Sequence, residues 1–574
     1  MTLTLVVLVL VAADATIKFL SRGEGAAAQA QKQPQEAFVR TYRFKDLSFG
    51  YGIRQTREGY ALSGTTVLDK AMANTDGFAA KLDGKGNILW SKLYQSFSKV
   101  THEIGNQAGE EDFSTAIEAG GKYVFGGTIL GFIDDKYMTK KEMWNDYFIS
   151  LFDTKGNHIW SKMMGWYNEE SNFNIISAEP GAFYIAGNAI TEGTGEIEDT
   201  DAAPHFMILG KYDLAGNKVW LKRINLYKSQ ARRAENGDMI VLGYQLTDRV
   251  SPTNSIMTDL PVVARINPEG KVIWARSIEA LPINVKTAKV VDGQVVTETI
   301  QMRNNVANFQ DIVPLVRGGY LAIGTTGLLD LAKASDLSLE KMKIVGVKFS
   351  ENGDFEWAKY LDFKSMLYGS LHAEPAADGG VLISQGYYHK DPDIGAKQER
   401  YLALSKEIKD KFSKNYKIGD EKKDPVLKKL WADWEAAGAA YNAATYVKIF
   451  ASKLADDFSP SWARSIGGTK GTELGGLAPE NGGGALLTGK YVTNDLNKVE
   501  FNLKHYFEDV ILVKFDASGA WGNSKLVGEL PTLPAQNAEG KVTSQPMALE
   551  ITDFSFSFDK KVTPKVSNIK VKTK

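Results

Sequence analysis

The chain has 574 residues, longer than one ordinary domain but within reach of a single repeat body. Its 68 Lys and Arg against 69 Asp and Glu leave a net charge of -1, which excludes a long-range pull toward nucleic acid or anionic lipid. Cysteine is absent, which excludes disulfides, thiolate metal sites and cysteine nucleophiles.

Residues 1–35 form the first segment. Met1 to Ala13 is apolar apart from Thr2 and Thr4, Asp14 and Lys18 follow, and Ser21 to Pro34 is rich in Ala and Gln. Three readings stand side by side. A secretory signal peptide fits the apolar length and the Ala13-Asp14-Ala15 pattern, but such peptides open with Lys or Arg. A transmembrane anchor would be short, and Asp14 would be costly in it unless paired with Lys18 one turn on. The third reading starts from Met1-Thr2-Leu3 and the apolar run, which resemble the mature terminus of type IV pilins. That resemblance implies a helix whose Met1, Leu3, Leu5, Leu8 and Val11 bundle with copies of themselves in a filament, after contact with the membrane. It departs at the fifth position, where pilins carry Glu and this chain has Leu5. Asp14 replaces that carboxylate only at a different stagger. The lack of basic residues before the apolar run favours the third reading.

Residues 36–528 repeat one unit seven times. A polar strand, a Gly turn and a strand ending in Gly come first, as in Arg57-Glu-Gly-Tyr-Ala-Leu-Ser-Gly64 and Arg317-Gly-Gly-Tyr-Leu-Ala-Ile-Gly324. A second hairpin follows, as in Lys81-Leu-Asp-Gly-Lys-Gly-Asn-Ile-Leu-Trp90-Ser-Lys92. Its Trp recurs as Trp160, Trp220, Trp274, Trp357 and Trp462, and Asn523 holds the place in the last copy. Asp-x-x-Gly-Asn suits a tight hairpin turn, and the alternation around each Trp suits a strand with one buried face. Four strands per copy predict an all-β, seven-bladed propeller of four-stranded antiparallel blades, with the Trp residues wedged between blades. Phe38-Val-Arg40-Thr-Tyr42 matches the Trp strand alone, so it is expected to pair with the last blade and lock the ring.

These copies resemble the secreted bacterial and archaeal propeller repeats with a GGYxLxG and a KxDxxGNxxWxK element. The resemblance implies an extracellular or cell-surface propeller. The repeat is also similar to that of quinoprotein propellers, which hold a quinone and Ca²⁺ on the axis, many with a vicinal cysteine pair. No cysteine exists here, and the recurring Asp residues fall in turns.

Residues 389–443 interrupt blade six and read as a helical hairpin. Trp431 and Trp434 fall on one side of its second helix, as a partner contact or as packing on the chain's own propeller. An acidic loop at 192–204 lacks the spacing of a calcium loop. The extension 529–574 contains an alternating strand, Ala548 to Phe558, able to close the ring or to be donated to a neighbouring subunit.

No phosphate loop, nucleophile elbow or zinc-type His spacing occurs among the 6 His residues. No cofactor, metal or catalytic residue is expected, and no nucleic acid partner. The expected function is therefore structural: a pilin-like filament subunit that displays a propeller. The alternative is a single anchored or secreted propeller that binds a protein or glycan.

Overall fold

The computed structural model describes residues 37–568, except for 45–46, 70–73, 95–109, 131–144, 165–169, 191–204, 246–259, 280–282, 292–293, 303–307, 328–341, 364, 366, 413–423, 468–471, 495–505, 522–531, 534, 538–546, 549, 554–556 and 563–564. The expected apolar helix, with Met1, Leu3, Leu5, Leu8, Val11, Asp14 and Lys18, lies outside the described residues, as does the acidic loop at 192–204.

Seven four-stranded antiparallel blades stand in a ring. Blade one shows the pattern: Leu47–Thr56, Gly59–Asp69, Asn74–Leu82 and Ile88–Tyr94, from axis to rim. Blades two to six span residues 110–164, 170–224, 227–279, 308–362 and 367–467 in the same order. The innermost strand of each blade packs beside that of the next, and the seventh packs beside the first. The ring is thus closed.

Blade seven takes three strands from one part of the chain and its fourth from another. Thr472–Pro479, Ala485–Asn494 and Tyr506–Phe515 are joined by Phe38–Arg43, which pairs antiparallel with Tyr506–Phe515. The expected register holds: Phe38 stands opposite Lys514, as Trp90 stands opposite Lys81. Closure therefore comes from residues 38–43 and not from the tail.

The tail does something else. Glu550–Asp553 adds a fifth strand to the rim of blade six, Ser557–Val562 to blade five and Lys565–Asn568 to blade four. Ala535–Asn537 runs parallel to Phe38–Arg43 on blade seven. These additions cover backbone groups that an edge strand would leave open.

The core sits between blades rather than within them. Among the described residues, seven apolar clusters each draw on two consecutive blades. The repeated Trp residues lie at the rim of these clusters. The indole N–H of Trp90 donates to the carbonyl of Thr154 in the next blade's outer turn, at 3.2 Å. Trp160 does the same to Leu214 at 3.0 Å, Trp274 to Glu351 at 3.0 Å, and Trp462 to Ala517 at 3.2 Å. Trp220 packs edge-on to Tyr184 at 6.2 Å, and Trp357 lies beside Phe458 of the next blade at 5.7 Å. The turn that receives each indole must approach closely. Gly353 has φ of +80°, and a Cβ there would lie 2.7 Å from the ring of Trp274. Only glycine meets both demands at low cost.

The insertion in blade six is helical as expected, with α1 (Ile394–Phe412) and α2 (Pro425–Ala443) packed together. Asp424 caps α2 through the Val426 amide at 2.8 Å, and Pro425 follows at the first helical position. A two-stranded hairpin, Ile283–Val291 with Gln294–Met302, lies between blades four and five and adds to the seven-fold pattern.

Candidate axial ligand-binding site

The seven innermost strands are not regular. Each carries a break in register against its neighbour, as between Gly50 and Gly52, Asp112 and Thr115, Tyr227 and Gln230, and Tyr368 and His372. The other three breaks lie in blades three, five and seven. A bulge re-aims side chains and separates the strands locally. Around the axis the result is a cavity of about 790 Å³ lined by residues from all seven blades. That volume lies in the range of small-molecule sites.

Strand direction sets which end opens. Every innermost strand starts at the face from which the long connections and the helical insertion leave, because strands alternate within each blade. The exposed lining residues Lys228, Asn308, Tyr368 and Ser370 all lie in the first halves of their strands. The cavity therefore opens toward that face. Phe49 and Tyr51 stand at the same level, with ring centres 4.4 Å apart.

A charged cluster forms the deeper end. Arg232 of blade four pairs with Asp311 of blade five at 2.9 Å and lies 3.6 Å from Glu374 of blade six. Glu374 also pairs with Arg54 of blade one at 2.9 Å. Four blades are thus tied across the axis. Asp311 is further held by the amides of Ala373 and Ile312, at 2.9 and 2.8 Å. Arg54 donates to the carbonyl of Leu477 in blade seven at 3.0 Å. Among the described residues, the buried Nε of Arg232 has no acceptor.

Burial governs titration here. Desolvation pushes Asp311 up to about 6, against the pull of Arg232. His372, one strand position from Ala373, is held down to about 4 by desolvation and then by the positive charge of Arg232. At neutral pH Asp311 is therefore ionised beside Arg232, and the His372 imidazole is neutral.

Lys228 stands apart. Its backbone is left-handed, with φ of 48°, and its ammonium lies 5.6 Å from the ring centre of Tyr227. A left-handed lysine is strained, and such strain collects at functional sites.

The residues singled out from sequence lie elsewhere. The six Trp residues are in the blade interfaces, and none lines the cavity. Trp431 and Trp434 lie in α2, half-buried, with centres 5.4 Å apart. Trp434 stacks on Tyr401 of α1 at 5.6 Å and donates to Ser405 at 2.7 Å. Trp431 donates to Glu435 at 3.0 Å. Both are engaged within the hairpin itself. Sequence reasoning passed over Arg54, Lys228, Arg232, Asp311 and Glu374. They sit on the innermost strands of four blades, Lys228 and Arg232 on the same one, and no shared motif marks them. Only the assembled ring brings them together.

Among the described residues, no three His, Asp or Glu side chains converge as metal ligands. No described helix is long and apolar enough to cross a membrane. No family model matches the chain, and no curated protein matches it. Among solved structures, a mutant of the Synechocystis apocarotenoid oxygenase matches at 9% identity with a TM-score of 0.18. That match covers 57% of this chain and 88% of the other, and a likeness so low carries no argument about activity.

Proposed function

We propose that this chain is a cell-surface propeller that binds a ligand in its axial cavity and performs no chemistry on it. One observation carries this reading. All seven innermost strands are bulged around a single cavity, with a strained lysine at its wall and a cross-paired charge cluster at its deeper end. Cross-paired Arg and carboxylate groups hold blades together, and their charges answer one another rather than a substrate. A rigid floor and an open, aromatic-edged mouth suit recognition.

Ser370 is exposed on the cavity wall, so a large side chain there fills space without entering a packed core. Screening the intact chain against a panel of small polar ligands by thermal shift should yield hits that Ser370→Trp abolishes while its own melting temperature stays unchanged. Hits that survive Ser370→Trp would sink the cavity as the site.

A finer proposal concerns residues 1–20. Their apolar run supports assembly of the chain into a filament that displays the propeller outward. Electron microscopy of the intact, natively purified protein should then show fibres, and a variant without residues 1–20 should give single particles. Single particles from both would leave an anchored or secreted binding propeller.

A further inference from the structure

We propose that the axial cavity recognises an acidic saccharide, with Lys228 meeting its carboxylate; this rests on the cavity being the binding site.

The first support is the built strain at Lys228. The next residue, Ser229, is buried and clamped by Asn188 of blade three. Its amide and hydroxyl both donate to the Asn188 side-chain oxygen, at 2.9 and 2.6 Å, and the Asn188 amide donates back to the Ser229 carbonyl at 3.2 Å. One blade therefore holds the bulge of the next in a conformation that lysine avoids. The ammonium so positioned makes no ion pair among the described residues, whereas Arg54 and Arg232 are already committed to Glu374 and Asp311. An anion entering the cavity finds one uncommitted cation at the wall.

The second support is a surplus of donors. The side-chain oxygen of Asn174 is taken by the Thr115 hydroxyl at 3.0 Å, and that of Gln310 by the Leu371 amide at 2.5 Å. These bonds fix which way each amide faces. Their NH₂ groups make no hydrogen bond among the described residues, and both residues line the cavity. The wall offers hydrogen atoms to a ligand rich in oxygen acceptors.

The third support is the edge of the mouth. Phe49, Tyr51 and the 37% exposed Tyr368 present ring surface near the open end. The C–H face of a sugar ring packs on such surface while its hydroxyls stay in reach of polar groups. A small inorganic anion would use Lys228 and the amides but leave the rings idle. A neutral sugar would leave the lysine idle.

The test is calorimetric titration of the intact chain with three probes: a trigalacturonate, a neutral galactose trimer and inorganic phosphate. Wild type, Lys228→Gln, Lys228→Arg and Ser370→Trp are compared. Trigalacturonate is expected to bind wild type, to bind Lys228→Gln on the order of tenfold more weakly, and to keep its affinity within a few-fold in Lys228→Arg. Ser370→Trp should abolish binding. The neutral trimer should bind more weakly and ignore Lys228→Gln. Equal binding of the neutral trimer, or displacement of trigalacturonate by equimolar phosphate, would overturn the acidic-saccharide inference. If Ser370→Trp still removed that binding, the cavity reading would stand. Trigalacturonate binding untouched by Ser370→Trp would overturn both. If no probe bound, the inference would fall, and the ligand panel above would decide the cavity reading.

Discussion

Phe38 stands opposite Lys514 on the closing strand, and its ring lies where Gly86 of blade one would carry a Cβ, at 2.8 Å. Trp90 holds the same relation to Gly156 of blade two, at 2.6 Å. The seam of the ring is thus built like its other joints, with phenylalanine in place of tryptophan. Tyr42 reinforces it by donating to the Gly86 carbonyl at 2.6 Å.

One joint breaks the glycine rule. Gly86, Gly156, Gly216, Gly270, Gly353 and Gly519 hold the outer turns at φ near +80°, but blade six has Phe458 there at φ of 71°. The left-handed backbone costs roughly 1–2 kcal/mol. The ring is 1% exposed and packs beside Trp357, and truncating such a residue costs about 3–5 kcal/mol. Packing outweighs strain, so Phe458→Gly should destabilise by about 2 kcal/mol in a denaturant titration. A gain in stability would contradict this.

The Arg232 cluster should behave as a coupled unit. Arg232→Met leaves Asp311 and Glu374 buried with less compensation, at a cost of about 3–5 kcal/mol. Adding Asp311→Asn should restore part of that loss. A double-mutant cycle measures it, and strictly additive effects would show that the pair is not coupled.

His372 and Asp311 pull in opposite directions as pH falls. The folded imidazole resists protonation down to about 4, while the unfolded chain takes the proton near 6.5, so acidification below 6.5 costs stability. Asp311 is protonated in the fold below about 6 but not until 3.8 in the unfolded chain, so its stabilisation is present in acid and lost as pH rises through 6. His372→Gln removes the first effect. Relative to wild type it should gain about 1 kcal/mol on going from pH 7 to pH 5, after allowance for solvent screening. A variant-to-wild-type difference constant with pH in denaturant titrations would contradict the assignment.

Removing residues 547–568 uncovers the outer strands of blades four, five and six. Open edges invite strand pairing between molecules. In chains lacking residues 1–20, light scattering should show association that rises with concentration once residues 547–568 are also removed, and none while they are present. A truncated chain that stays the same size at all concentrations would contradict a protective role.

Much of the ring was legible in sequence because it is local and repeated. The Asp-x-x-Gly-Asn turns recur, and in Asp153 the carboxylate accepts from Lys155 and Asn157 amides at 2.8 Å, so one short motif writes one hairpin. Phe38 and Arg40 revealed the closing strand by matching Trp90 and Lys92. The helical insertion followed from its spacing of Leu427 and Leu430, both buried. The tail was read as one strand because its alternation shows β tendency but not which edge receives it. The hairpin of Ile283–Val291 and Gln294–Met302 carries the turn-favouring dipeptide Asp292-Gly293 in its sequence but lies outside the repeat, so the repeat does not reveal it. The cavity was illegible for a different reason. Arg54, Arg232, Asp311 and Glu374 meet only when four blades converge, Lys228 lines the same cavity apart from them, and bulges, not motifs, aim these side chains.

The absence of cysteine allows the ring closure to be tested without background. Val39 and Val513 stand opposite each other on the closing pair. A Val39→Cys, Val513→Cys variant, oxidised at low concentration, should form a disulfide within single chains, seen as faster migration without reductant and a monomer mass. Failure to cross-link, or cross-links only between chains, would contradict a ring closed on itself and the axial cavity that depends on it.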